Sequence, residues 1–323
     1  MNKIKAVTWT AALGSTPGPE SPRAAFLLYG KGLCMGGADV VPGVSGGTIA
    51  LITGIYEDLL AAIKSFDHRF LQRLLRLDFK GALVTAHVRF LMVLLAGIAT
   101  AVISIARIMH HLLQHYPVPV WSLFFGLILA SILVVGRTVP SWQRTGTISA
   151  FLGGTAAAWL IVGMIPVSTP ETGWFIFISG FIAICAMILP GLSGAFLLLI
   201  LGKYEFITGA IKNPFILDNL VILAVFSAGA LAGILSFSRL LKWLLDRWHG
   251  LAMAFLTGLM TGSLRKIWPW KETLETTLVR GKIHVLREAN ILPPEFGGEF
   301  RLALLLAAAG FVAVLLLERL SKT

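Results

Sequence analysis

Charge is scarce in this chain. Only 13% of its 323 residues are charged, against 56% hydrophobic. A soluble domain carries about 25% charged residues, so the shortage excludes a water-soluble globular protein and leaves an integral membrane protein. Acid is scarcer still: 16 Asp and Glu against 27 Lys and Arg give a formal net charge of +11. That excess suits anionic lipid headgroups and would attract an anionic substrate. The basic residues fall in short segments between apolar runs rather than along one soluble face, which excludes nucleic acid as a partner. Cysteine is almost absent, and Cys34 and Cys185 sit in apolar stretches without metal-ligand spacing, so both read as buried thiols. His110, His111 and His115 cluster without acidic or cysteine companions and read as solvated interface. No metal site is expected, and no cofactor beyond a coupling proton or other ion. A secretory signal is also missing, because the Ala6–Leu13 stretch is too short and too polar for one. Residues Met1–Arg23, with Pro17, Pro19 and Pro22, read as a flexible cytoplasmic lead.

Long apolar runs are what the chain does have. They fall at Phe26–Val41, Thr48–Ile63, Phe90–Met109, Val120–Gly136, Ile148–Ile165, Trp174–Leu189, Ala195–Ile211, Leu217–Ser238, Leu251–Leu264 and Leu302–Leu317, half of them before Pro166. A full crossing needs about 20 apolar residues. The first two runs, and the two after Pro166, are shorter and rich in glycine, and each pair meets at a Pro-Gly turn. They read as re-entrant hairpins over 26–63 and 174–211. Exposed backbone at such a tip is tolerated only where protein or a water-filled cavity covers it.

The turns repeat. Pro42-Gly-Val-Ser-Gly46 returns as Pro190-Gly-Leu-Ser-Gly194, and the match continues through Leu51/Leu199, Ile52/Ile200, Gly54/Gly202, Tyr56/Tyr204, Glu57/Glu205 and a closing Ala-Ile-Lys. At a second offset, Ser104-Ile-Ala-Arg107 matches Ser236-Phe-Ser-Arg239, Gly126-Leu127 matches Gly258-Leu259, and Ser131 matches Ser263. A broken apolar segment at corresponding places in two halves marks a transporter's substrate site. The fold class expected is an all-α polytopic membrane protein of two inverted-topology repeats, 24–166 and 173–320. Each repeat has its hairpin followed by three transmembrane helices. An odd number of crossings per half requires the inversion.

Orientation follows from the cations. With the N-terminus inside, sixteen Lys and Arg fall on the cytoplasmic side and ten on the other, seven of these ten between Arg265 and Arg301. Both termini are therefore expected to be cytoplasmic. Between Lys64 and Lys80, leucines and phenylalanines alternate with Arg69, Arg73 and Arg76, which fits an amphipathic helix on the inner leaflet or a plain connector.

The chemistry belongs to the turns. Proline ends the incoming half-helix and glycine lets the chain reverse. Ser45-Gly46-Gly47-Thr48 and Ser193-Gly194 then open the outgoing half-helix, whose unpaired N–H groups and positive dipole end face the tip. Small side chains keep those amides reachable, so the pattern is a neutral cradle for phosphate or carboxylate. Asp39, three residues before the first turn, is a carboxylate at membrane depth and a candidate for ion or proton coupling, with Glu57 and Glu205 as helpers; its repeat partner is Met187. A hydrogen bond pinning the hairpin tip is the structural alternative for Asp39, and interface anchoring for the two glutamates. Arg107 and Arg239 occupy equivalent positions and could receive a phosphate near opposite faces, or serve as helix-end anchors.

With these residues in view, the chain resembles the polyprenyl-phosphate transporter family, PopT. The resemblance rests on Gly36-Gly-Ala-Asp-Val-Val-Pro-Gly-Val-Ser-Gly-Gly-Thr48 with Gly54-Ile-Tyr-Glu57, on Ala186-Met-Ile-Leu-Pro-Gly-Leu-Ser-Gly194 with Gly202-Lys-Tyr204, and on Gly262-Ser-Leu-Arg-Lys-Ile-Trp-Pro-Trp270. It implies translocation of undecaprenyl phosphate, the lipid carrier of bacterial envelope glycans, back to the inner leaflet of the cytoplasmic membrane. It also implies that Ser45, Gly46, Gly47, Ser193 and Gly194 hold the headgroup, with Arg265 as a further phosphate partner. A polyprenyl-phosphate lipid and the surrounding membrane lipids are the expected partners. The same cradle would suit a transporter or channel for a small soluble anion. Gly43-Val-Ser-Gly46 also resembles the Gly-x-Ser-Gly of rhomboid intramembrane proteases, although a protease has no use for two equivalent serines.

Overall fold

The computed structural model describes residues 14–41, 44–279 and 282–321; side chains of residues 277–287, 320 and 321 lie outside that description. The Pro42-Gly43 step of the first turn, Lys3, Lys5, Lys322 and the first thirteen residues of the expected lead are therefore outside it. Residues 14–20 fold back onto the first long helix of the bundle. Arg89 there donates to the Gly14 and Gly18 carbonyls at 3.1 and 3.0 Å.

Repeat 1 begins with α1 (Pro22–Asp39), whose first turn is capped by Ser21 and set by proline at its start. After the turn come α2 (Gly46–Ile52) and α3 (Tyr56–Lys64). Two short helices follow, α4 (His68–Leu75) and α5 (Phe79–Thr85), each capped by an aspartate, Asp67 and Asp78. No residue of α4 is buried, and Leu71, Leu74, Leu75 and Phe79 are exposed beside Arg69 and Arg73. Of the two readings of this stretch, an amphipathic surface helix is the one the structure favours. Then come α6 (Val88–His115), α7 (Pro117–Arg137) and α8 (Thr145–Val162).

Repeat 2 has α9 (Gly173–Ile188), α10 (Gly194–Ile200), α11 (Tyr204–Lys212) and a 51-residue helix, α12 (Leu217–Ile267). At 1.5 Å per residue α12 would reach about 76 Å, more than twice the hydrocarbon thickness. It is in fact two arms joined at Trp248, whose backbone leaves the helical region at φ −135°, ψ 54°. Tyr116, between α6 and α7, has φ −134° and ψ 53°. The arms of α12 are thus the counterparts of α6 and α7. Among the described residues five helices are long and apolar enough to cross a membrane: α6, α7, α8, α12 and α13 (Gly298–Ser321). With α12 counted as two arms, three crossings follow each hairpin.

A two-stranded antiparallel hairpin, β1 (Lys271–Val279) and β2 (Lys282–Asn290), joins α12 to α13, with Lys271 opposite Asn290. Among the described residues the fold is α-helical apart from this two-stranded ribbon, which hydrophobic patterning does not announce. Trp268 Nε1 donates to the Ile291 carbonyl at 2.8 Å and Ile291 N to the Trp270 carbonyl at 3.1 Å, tying the ribbon's base to the end of α12.

A lysine ties off the end of each outgoing half-helix. Lys31 Nζ, midway along α1, donates to the Thr53 carbonyl at the end of α2 at 2.8 Å. In repeat 2, Val167 N donates to the Ile200 carbonyl at 2.9 Å, and Lys203 Nζ to the Thr169 carbonyl at 2.7 Å. The outgoing half-helices then bend by 115° into α3 and 112° into α11. The bends fall at Gly54 (φ +73°) and Gly202 (φ +62°), a backbone region that glycine enters without a Cβ clash.

Glycine also sets how the long helices meet, and the contacts recur at matched positions. A Cβ on Gly32 would strike the backbone of Leu94 and Gly97, and one on Gly180 that of Phe226 and Ala230. A Cβ on Gly126 in α7 would strike Ala307 in α13, and one on Gly258 in α12 would strike Phe151 in α8. Small residues let helix backbones approach closely in lipid, where no hydrophobic drive pulls helices together. Each repeat's last helix thus packs on the other repeat, and a single buried core runs from α1 and α2 through α7 to α12 and α13.

Candidate functional site

The two turns meet in the middle of the molecule. Ser45 Oγ accepts from Gly47 N at 3.1 Å and lies 3.2 and 3.3 Å from the Leu189 and Met187 carbonyls. Tyr56 OH donates to the Ile188 carbonyl at 3.0 Å, and Gly191 N donates to Thr48 Oγ1 at 3.0 Å. The last carbonyls of a helix have no partner of their own, and side chains from repeat 1 supply partners for those of α9. Ser45, Gly46, Gly47, Thr48, Ser193 and Gly194 are all buried.

The amides of the expected cradle are engaged from within. Gly46 N donates to Asp39 Oδ1 at 2.7 Å, Gly47 N to Ser45 Oγ, and Thr48 N to the Ser45 carbonyl at 3.0 Å. A carboxylate therefore already sits where an anion would. In repeat 2 the matching place over Gly194 is filled by the Met187 side chain. The halves share a backbone plan but differ here in chemistry. Among the described residues Ser45 bonds only to backbone groups, Ser193 Oγ is 3.5 Å from Phe196 N, and neither serine is partnered by a histidine.

The other expected residues are dispersed. Arg239 donates to the Leu235 carbonyl at 2.7 Å and the Phe66 carbonyl at 3.0 Å, fastening α12 to the end of α3. Arg107 is exposed on α6. Glu57 forms an ion pair with Lys242 at 2.8 Å, shared with Asp246, and Glu205 is half-buried on α11.

Arg265 is different. It lines a cavity of about 630 Å³ together with Lys266, Lys271, Glu288 and Asn290, walled by Trp159, Val162, Met164, Ile165, Phe196 and Leu199. Arg265 Nη1 donates to the Trp159 carbonyl at 3.1 Å, and its guanidinium lies 4.8 Å from the centre of the Trp159 ring. Gly163 makes room, since a Cβ there would meet the guanidinium. Lys266 Nζ is 4.9 Å from the Phe196 ring, which places the cavity against the outgoing helix of the second hairpin. Lys271 Nζ is 4.6 Å from the Trp121 ring and donates to the Lys266 carbonyl at 2.7 Å. Burial, and secondarily the nearby Lys266, push the Lys271 amine down to about 8, against the pull of Glu288. Burial would raise Glu288, but Lys271 and Lys266 outweigh it and hold that carboxyl below its usual range.

Three cations over an apolar wall can hold an anionic headgroup while a hydrocarbon tail stays in lipid. Sequence reasoning singled out Arg265 but not Lys266 or Lys271, which line the same cavity. The available signal was the Arg265-Lys266 pair closing an apolar helix, with Lys271 five residues on.

A family model described as VCA0040-like, undecaprenyl phosphate translocase-like, matches residues 35–283. A polyprenyl-phosphate transporter of Vibrio cholerae is 42% identical over 301 residues, 91% of this chain and 96% of the relative. One from Staphylococcus aureus is 30% identical over 254 residues, 74% of this chain and 84% of that relative. No solved structure matches. With its paired broken hairpins and a cationic cavity beside the second, the chain belongs to the undecaprenyl phosphate translocase-like family.

Proposed function

We propose that this protein translocates undecaprenyl phosphate across the bacterial cytoplasmic membrane, returning it from the outer to the inner leaflet for reuse in envelope glycan synthesis. The observation that carries the reading is the cavity of Arg265, Lys266 and Lys271 with its apolar wall. An aqueous anion needs no such wall, whereas a prenyl chain does. The two halves act as inverted repeats, one hairpin entering from each face, with both termini cytoplasmic and the cavity on the outer side. Support for this arrangement comes from the three long helices, an odd number, that follow the first hairpin and return the chain to the opposite face before the second.

The phosphate enters at the cavity and passes Phe196 to the tips, where Ser45, Gly46, Gly47, Thr48, Ser193 and Gly194 receive it once Asp39 releases the Gly46 amide. Arg107 and Arg239 serve the outer and inner mouths. Asp39 takes up the coupling proton or ion, with Glu57 and Glu205 as secondary groups. Protonation removes the charge that favours its 2.7 Å bond to Gly46 N, freeing that donor as the substrate arrives.

Counterflow of labelled undecaprenyl phosphate in reconstituted vesicles tests the transport itself. Exchange that unlabelled undecaprenyl phosphate drives and inorganic phosphate does not is the expected result. Equal drive by inorganic phosphate would assign the site to a soluble anion instead. Asp39→Asn should abolish the dependence of exchange on a pH gradient; a dependence that survives removes Asp39 from coupling.

A further inference from the structure

The cavity's cations are partly balanced from within. Glu288 on β2 places its carboxylate 3.3 Å from Lys266 Nζ and 3.5 Å from Lys271 Nζ. It is the one acid among the described lining residues, whose three cations and one carboxylate leave a net charge of two positive (3 − 1 = 2). Arg265 is held separately, by the Trp159 carbonyl and ring. A phosphate monoester carries about −1.5 to −2 at neutral pH, which this lining matches. A diphosphate adds further negative charge and overshoots it. Size offers no discrimination, because about 630 Å³ accommodates either headgroup. Charge is what can separate them, and specificity between close analogues commonly depends on a repulsive element set against the wrong one.

We infer that Glu288 is the specificity-determining residue of this cavity: its fixed negative charge matches the site to a monophosphate headgroup and disfavours a diphosphate. The inference rests on the headgroup reading given under Proposed function. Glu288 repels each phosphate in proportion to that phosphate's charge. With the Glu288 side chain 31% exposed, this repulsion is screened less than at a fully open surface. The carboxylate also engages Lys266 and Lys271, so a ligand must compete with it, and the more highly charged ligand faces the larger opposition. Its position on the extramembrane ribbon, rather than on a membrane helix, puts the selecting charge at the mouth of the site.

The test uses the full chain purified in detergent, titrated with farnesyl phosphate and with farnesyl diphosphate at one fixed salt concentration. Wild type should prefer the monophosphate. E288Q, which keeps the side chain's shape, should bind both more tightly and shift the ratio about tenfold toward the diphosphate. Two further variants guard against a fold effect. E288D retains the charge and should retain the wild-type ratio, and the double variant K266Q/E288Q restores a net charge of two positive and should return the ratio toward wild type. An unchanged ratio in E288Q that still binds overturns the inference. The headgroup reading fails separately: if R265Q/K271Q binds farnesyl phosphate as wild type does, the cavity is not the headgroup site and both ideas fall. If that double variant loses binding while E288Q leaves the ratio unmoved, only the charge filter falls. Inorganic phosphate competing at the same concentration as farnesyl phosphate would assign the site to a free anion.

Discussion

Lys271 is the residue whose environment departs furthest from what its place in the sequence suggests. As the first residue after a tryptophan-rich helix end it reads as an ordinary interfacial cation. The fold instead seats it under the Trp121 ring, beside Lys266 and Glu288, with its amine lowered to about 8. Below that pH it is charged and, in the proposed headgroup reading, pairs with phosphate; above it the charge is lost. The phosphate's second ionisation near 6 works in the opposite sense, adding charge as pH rises. Affinity for farnesyl phosphate should therefore climb through about pH 6, level off, and decline as pH passes about 8. Lys271→Arg keeps its charge and should remove the declining limb, whereas Lys271→Gln should cost about tenfold to a hundredfold in affinity below about pH 8, the worth of one charged hydrogen bond, and little above it. Calorimetric titration at a series of pH values reads both, and a wild-type profile flat above pH 8 would contradict the assignment. The tandem Arg265-Lys266 was legible in sequence as charge; its partnership with Lys271 and Glu288 was not, because ribbon register decides it.

Among the elements, the broken helices show how a repeat can be exact in backbone and unequal in role. Gly54 and Gly202, Ser45 and Ser193, and the bends of 115° and 112° correspond closely. Their tyrosines do not. Tyr56 is 2% exposed and donates to the Ile188 carbonyl, whereas Tyr204 is 41% exposed. Tyr56→Phe leaves a buried carbonyl without its donor and should destabilise the protein by about 1–3 kcal/mol. Tyr204→Phe should be close to neutral. Thermal unfolding in detergent compares the two, and equal losses would mean that the repeat, not the burial, sets the cost. The anion cradle was likewise readable as a backbone motif. That Asp39 already occupies its first amide was not, although its position three residues before the turn offered a tip-pinning hydrogen bond as one reading.

For the whole molecule, exchange of the last helices is the organising feature. α13 packs on α7 and α8 on the second arm of α12, through Gly126 against Ala307 and Gly258 against Phe151. Neither repeat covers its own seventh-helix face or second arm alone, so the two halves should unfold together. Gly126→Leu and Gly258→Leu each drive a side chain into backbone of the opposite repeat and should destabilise by similar amounts, about 1–3 kcal/mol or more. Gly153→Leu, with nothing within 4 Å of its Cβ position, should be tolerated. Thermal melts of the three variants would show it; a melt in which only one repeat loses structure would count against mutual cover.

Local order along the chain was enough to establish a membrane protein, two broken hairpins and a repeat, since hydropathy, Pro-Gly breaks and glycine spacing act over a few residues and survive without tertiary context. It also marked Trp248 only as a gap between apolar runs, and gave the 271–299 segment no form. Tertiary structure alone decided which tyrosine is buried and which cations share a cavity. The reason is physical: a side chain's charge and hydrogen-bonding capacity are written in the sequence, but its solvation and its partners depend on what other segments the fold brings against it.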